Sequence, residues 1–263
     1  MPFVKANGID VHYRASGKGP KTVIFVHALG TSLRIWDLVI SRMSADRHCV
    51  AYDLRGHGKS TVVEGPYSMA LLAADLLGMM EALHIAEATI CGVSVGGLIA
   101  QQAALERSDR IEGLVLCDTG TRIGTPAGWQ DRIRLVEERG LASTAGDITA
   151  RWYSPGFCDK QPALCDALRS DLAGMSTIGY VGVCHALRDG DLSRDVGRIR
   201  APALIACGED DISTPPVVAR ELASLISGAR LEILPGVGHL PCVESPEHVA
   251  DLIDSFFVEA QHV

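Results

Sequence analysis

Residues 88–98 read Ala88-Thr89-Ile90-Cys91-Gly92-Val93-Ser94-Val95-Gly96-Gly97-Leu98, and they continue into Ile99-Ala100-Gln101-Gln102-Ala103-Ala104-Leu105. The apolar run up to Cys91 has the character of a buried strand, and the stretch from Leu98 that of a helix. Between them lies a Gly-x-Ser-x-Gly turn. A serine on so sharp a strand-to-helix turn is held in a strained backbone conformation, with its hydroxyl pushed into an open pocket. Gly92 and Gly96 are required there, because side chains would collide as strand and helix close around the turn. The helix amino terminus sets free N–H groups beside the Ser94 hydroxyl, where negative charge would develop during acyl transfer.

Strand and helix signals alternate on either side of this turn. Val11–Arg14, Thr22–Val26, His48–Tyr52 and Ile111–Cys117 read as strands, and Leu33–Met43 and residues 69–84 as helices. Such alternation implies an α/β fold: a mostly parallel central sheet with helices on both faces. Ligands on such sheets bind beyond the carboxyl ends of the strands. The rhythm breaks between residues 122 and 190, which read as several short helices interrupted by Ser154-Pro155-Gly156. It resumes with strands at Ala203–Cys207 and Leu231–Leu234. The expected organisation is a core of residues 1–121 and 191–263, with 122–190 inserted as a helical lid over the carboxyl edge of the sheet.

Composition narrows the function classes. A net charge of −8 argues against nucleic acid or an anionic membrane surface as a partner. There is no long apolar stretch, and no apolar segment follows Met1-Pro2-Phe3-Val4-Lys5, so a cytoplasmic location is expected. Several of the eight cysteines sit in apolar strand-like runs and none forms a Cys-x-x-Cys pair, so reduced, mostly buried thiols are expected. The histidines lack metal-ligand spacing and no phosphate loop or Gly-x-Gly-x-x-Gly is present, so neither a metal nor another cofactor is expected.

A serine hydroxyl near neutral pH needs a histidine to take its proton, and a carboxylate to fix that histidine's tautomer. Both stand just past strand ends. Gly208-Glu209-Asp210-Asp211-Ile212 follows one strand; Asp211 is the favoured carboxylate and Asp210 its nearest competitor, an amino-terminal cap for the helix near Pro215 being the plainer role for either. Pro235-Gly236-Val237-Gly238-His239 follows the last strand and supplies His239 as base. The chain order Ser94, Asp211, His239 is that of the α/β-hydrolases. The loop His27-Ala28-Leu29-Gly30 lies where this architecture takes an oxyanion donor, so the amides of Leu29 and Val95 are assigned as the hole. His27 and the turn Asp53–Ser60 read as local hydrogen-bonding supports.

Taken with these motifs, Leu116-Cys117-Asp118-Thr119-Gly120-Thr121-Arg122-Ile123-Gly124-Thr125-Pro126 followed by Trp129 resembles the 3-oxoadipate enol-lactone hydrolases of the α/β-hydrolase superfamily. Arg151-Trp152-Tyr153, Gly179-Tyr180, Cys184 and Asp191-Leu192 extend the resemblance, which covers nearly the whole chain. One departure is Val95, where members often carry methionine; an amide donor is unaffected by that change. The resemblance implies hydrolysis of an enol-lactone bearing a carboxymethyl arm, in the breakdown of aromatic compounds. Its small-molecule substrate would be seated by Trp129, Trp152 and an arginine for the carboxylate, from Arg122, Arg132 and Arg151. A general carboxylesterase, perhydrolase or other lactonase would use the same three residues. A receptor with a vestigial triad is the reading from a different class. The oligomeric state is left open.

Overall fold

Continuous apolar runs build the centre of the molecule. In the computed structural model, which describes residues 2–43 and 47–260, these runs form an eight-stranded sheet of order β1-β2-β4-β3-β5-β6-β7-β8. The strands are β1 (Phe3–Ala6), β2 (Ile9–Ser16), β3 (Lys21–Val26), β4 (Arg47–Tyr52), β5 (Ala88–Val93), β6 (Ile111–Cys117), β7 (Ala203–Gly208) and β8 (Arg230–Leu234). β1 pairs antiparallel with β2 and β2 with β4; every other pairing is parallel. All six residues of β5 and of β7 are buried. A parallel strand covered on both faces is expected to read that way, without alternation.

The helices are α1 (Asp37–Arg42), α2 (Met69–Ala82), α3 (Val95–Glu106), α4 (Pro126–Thr149), α5 (Phe157–Lys160), α6 (Pro162–Ala173), α7 (Thr177–Asp189), α8 (Pro216–Leu225), α9 (Pro241–Glu244) and α10 (Pro246–Ala260). α1 packs with α10, α2 with α3, and α8 on β7 and β8. Among the described residues no helix is long and apolar enough to cross a membrane.

Residues 122–190 lie between β6 and β7, and the Leu192 amide donates to the Thr121 carbonyl at 2.9 Å, tying the two ends of that segment together. Its first element, α4, is two helices in succession: one starts from a Thr125 cap that accepts the Gly128 amide, and the second follows a break at Gly140, whose φ of 74° and ψ of 160° are non-helical. α6 and α7 pack against it.

Two sequence expectations need correction. Cys158 and Cys165 form a disulfide, whereas all eight thiols were expected to be reduced. These two lie outside the apolar strands, on α5 and α6, and the Gln161-Pro162 turn brings their Cα atoms to 5.8 Å, within disulfide reach. The other six are buried and free. The strand β1 and the helix α10 were also not anticipated. β1 is largely exposed and so carries no apolar run, but Asn7 and Gly8, with φ of 46° and 79°, close a tight hairpin onto β2.

Candidate active site

Ser94 sits between β5 and α3 with φ 59° and ψ −120°, a region L-residues rarely enter. The glycines around it are sterically obligatory. A Cβ on Gly92 would lie 2.3 Å from the Gly96 carbonyl oxygen, and one on Gly96 would lie 2.3 Å from the Val26 carbonyl oxygen. The strained turn is over-determined by β6: the Ser94 amide donates to the Cys117 carbonyl at 3.0 Å, and the Thr119 hydroxyl donates to the Ser94 carbonyl at 2.8 Å.

Two amides near Ser94 in the chain or the fold are without an acceptor among the described residues. Val95 is the first residue of α3, so its N–H has no intrahelical acceptor, and among the described residues it donates to no other group. The Leu29 amide, in the loop after β3, is likewise uncommitted. That loop is braced by two buried histidines. His27 Nδ1 donates to the Ala28 carbonyl at 2.8 Å while Nε2 accepts the Leu54 amide at 2.9 Å. His57 Nε2 accepts the Gly30 amide at 3.1 Å and its Nδ1 faces the Arg55 carbonyl at 3.3 Å. Accepting a backbone N–H requires an unprotonated ring nitrogen, so both rings are neutral. Burial lowers the His27 pKa, and burial followed by the neighbouring His27 takes His57 down to about 3.

Past β8, His239 points inward, its Nδ1 2.8 Å from Asp211 Oδ2. Asp211 is fully engaged: Oδ1 accepts the Ser213 and Thr214 amides at 2.7 and 3.1 Å, and Oδ2 also accepts the Thr214 hydroxyl at 2.6 Å. Burial pushes its carboxyl up, but His239 opposite and these hydrogen bonds outweigh burial and bring it down to about 2. Asp210, the competing carboxylate, makes no hydrogen bond or ion pair with His239; its amide donates to the Val237 carbonyl at 2.9 Å. The Ser94 hydroxyl and the imidazole are not hydrogen-bonded to one another; both open onto one cavity of about 200 Å³.

Leu29, Trp129, Arg132, Arg151 and Trp152 line that cavity too, as does Tyr180. Arg132 is half-buried and donates to the Tyr180 hydroxyl at 3.3 Å, and among the described residues it pairs with no carboxylate. Arg151 stands exposed at the rim, donating to the Ile212 carbonyl at 3.3 Å. Arg122 does not reach the cavity; its guanidinium pairs with Asp191 at 3.2 Å near the surface. Sequence reasoning missed Thr214, Glu244 and Asp118 as neighbours of the site. The clearest available signal was Asp118, a carboxylate directly after the apolar run Leu114–Cys117. The ligand-type atoms of Asp118, Asp211 and His239 lie within 4.8 Å of one another. His239 Nδ1 is turned to Asp211 and Asp118 Oδ1 to the Gly208 amide, so each of the three groups already has a protein partner.

Comparison with known proteins bears on the family and the fold. The alpha/beta hydrolase fold family model matches residues 21–246. The chain is 33% identical to 3-oxoadipate enol-lactonase 2 of Acinetobacter baylyi, over 92% of this chain and 91% of that one. It is 29% identical to 3-oxoadipate enol-lactonase 1 of the same organism, over 91% and 89%. The crystal structure of the enol-lactonase from Burkholderia xenovorans superposes with a TM-score of 0.95 at 32% identity, covering 98% of this chain and all of the other.

Proposed function

The chain belongs to the α/β-hydrolase fold family, and from that premise we propose that it is a serine hydrolase opening a small enol-lactone that carries a carboxylate, 3-oxoadipate enol-lactone above all. Ser94 is the nucleophile, His239 the general base and acid, and Asp211 the residue that fixes the imidazole tautomer. The observation that carries this reading is Arg132. Among the described residues it is a cation without a carboxylate partner, set among Trp129, Trp152 and Tyr180 in the cavity that Ser94 and His239 share. Burying such a charge beside aromatic rings is costly unless an anion meets it.

In the reaction, Ser94 Oγ attacks the ring carbonyl while His239 Nε2 takes its proton. The oxyanion accepts hydrogen bonds from the Leu29 and Val95 amides, donors of a kind worth roughly 3–4 kcal/mol each. Collapse breaks the ring C–O bond, and His239 returns the proton to the departing enolate oxygen. The enol then relaxes to the ketone. Water, deprotonated by His239, releases the acid product from Ser94. An enolate leaves more readily than an alkoxide, so little ground-state distortion is required. Segment 122–190 acts as the lid, supplying the aromatic and arginine wall over a core of residues 1–121 and 191–263.

The test is hydrolysis of 3-oxoadipate enol-lactone beside a simple aryl acetate, with wild type and Ser94→Ala. Serine-dependent turnover of the lactone far above the acetate is expected. Acetate turnover without lactone turnover would overturn the substrate while leaving a serine esterase. Activity surviving in Ser94→Ala would overturn the mechanism.

A further inference from the structure

The last residue of β6 and the two that follow it touch both halves of the catalytic machinery. Cys117 and Thr119 hold the main chain of Ser94, as described above. Asp118 between them turns the other way: its amide donates to the Ala206 carbonyl at 2.8 Å, and its Oδ1 accepts the Gly208 amide at 2.8 Å. Gly208 ends β7 and opens the loop that carries Asp211. Asp118 is completely buried, and its second oxygen, Oδ2, faces no donor. The carboxylate of Asp211 lies alongside, within the 4.8 Å cluster that also includes His239. The remaining titratable neighbours are the thiols of Cys117 on β6, Cys207 on β7 and Cys242 on α9.

Two ionised carboxylates side by side in so dry a place would repel strongly, and one of them is expected to hold a proton. Asp211 receives three donors and the imidazole, so it is the one that stays ionised. Asp118 receives a single donor, on Oδ1, which leaves Oδ2 as the protonated oxygen. We propose that Asp118 is a positioning residue for the Asp211–His239 pair, keeping a proton on Oδ2 throughout the cycle and donating it in a hydrogen bond to the Asp211 carboxylate. Burial, the charge of Asp211 and the Cys117 thiol all push the Asp118 carboxyl pKa upward, in agreement with that geometry. Through this bond the end of β6 fixes the carboxylate orientation that Nδ1 of His239 requires, without adding a second negative charge behind it.

The proposal rests on the triad reading for its catalytic consequence, but its protonation state is measurable separately. The infrared spectrum of wild type minus Asp118→Asn should show the carbonyl band of a protonated carboxyl group. Asp118→Asn, which keeps a neutral donor, should retain kcat within about threefold and leave the acid limb of the pH–rate profile in place. Asp118→Leu, of similar size but without a donor, should lower kcat about tenfold at unchanged KM. Its melting temperature should not fall, which a purely structural role would not produce. A missing carboxyl band, Asp118→Asn impaired as badly as Asp118→Leu, or a fully active Asp118→Leu would each overturn the proposal. Should Ser94→Ala remain active, the triad reading fails, yet the infrared band still decides whether Asp118 holds its proton.

Discussion

The main-chain amide of His239 donates to the carbonyl of Trp152 at 3.0 Å, joining the loop after β8 to the far wall of the cavity. Beside it, the carboxylate of Glu244 strengthens the join. It accepts the Gly238 amide at 3.0 Å and the Ser154 amide at 3.2 Å, and the Ser154 hydroxyl as well. Segment 152–154 and the histidine loop are therefore positioned together. Removing the acceptor leaves partly buried N–H groups without partners, which costs about 1–3 kcal/mol. Glu244→Ala should lower the melting temperature and reduce kcat about tenfold by loosening His239. Glu244→Gln keeps an acceptor oxygen and should recover most of both. Thermal unfolding and steady-state kinetics check this; a Glu244→Ala variant with wild-type kcat would show that the join does not matter for His239.

Arg132 separates the two kinds of substrate. A guanidinium on a carboxylate contributes about 1.5–3 kcal/mol, so Arg132→Gln should raise KM for an anionic enol-lactone by roughly ten- to a hundredfold. Turnover of a neutral aryl acetate should change less than about threefold, since uniform binding is lost only for the anion. Equal losses on both substrates would mean that Arg132 shapes the cavity and does not read a carboxylate. Arg122→Gln, on the surface beside Asp191, serves as the control and should leave KM unchanged.

The sequence made the sheet centre readable because a parallel strand buried on both faces leaves an uninterrupted apolar run, as Ala203–Gly208 does. The elbow was readable because steric demands at Gly92 and Gly96 are local, met within a few residues of Ser94. What could not be read depends on contacts between distant segments. Arg122 and Arg132 are alike in sequence, and only the course of α4 turns one into the cavity and leaves the other beside Asp191. Cys158 and Cys165 lack any motif spacing, and their meeting depends on the turn between α5 and α6. Asp118 was legible as part of a motif, whereas its proximity to Asp211 follows from the pairing of β6 with β7.

Gly96 offers a sharp steric test. The Cβ of Gly96→Ala would fall 2.3 Å from the Val26 carbonyl oxygen and 3.0 Å from that of His27, both backbone atoms that cannot rotate away. Either β3 or the start of α3 must shift, displacing the Leu29 or Val95 amide. The expected result is a loss of about 3 kcal/mol in stability together with a kcat loss of about a hundredfold or more. By contrast, Gly146→Ala, on α4 with open space around its Cβ, should be neutral or slightly stabilising. Equal behaviour of the two variants in urea unfolding and kinetics would contradict the close approach of β3 to the elbow.

The neutral histidines behind the Leu29 loop impose a pH dependence of known sign. His57 titrates near 6.5 when unfolded and at about 3 when folded. Between those values the unfolded chain binds the extra proton, so stability falls as pH falls through that window. From pH 7 to pH 4 the loss attributable to this one ring is about 3 kcal/mol. His57→Gln keeps an oxygen able to accept the Gly30 amide but has nothing to protonate, so its stability should depend less on pH over that range by about the same amount. Urea unfolding of both proteins at pH 7, 5.5 and 4 measures the difference. Parallel curves would show that His57 is already protonated in the folded protein, and that its Nε2 does not accept from Gly30.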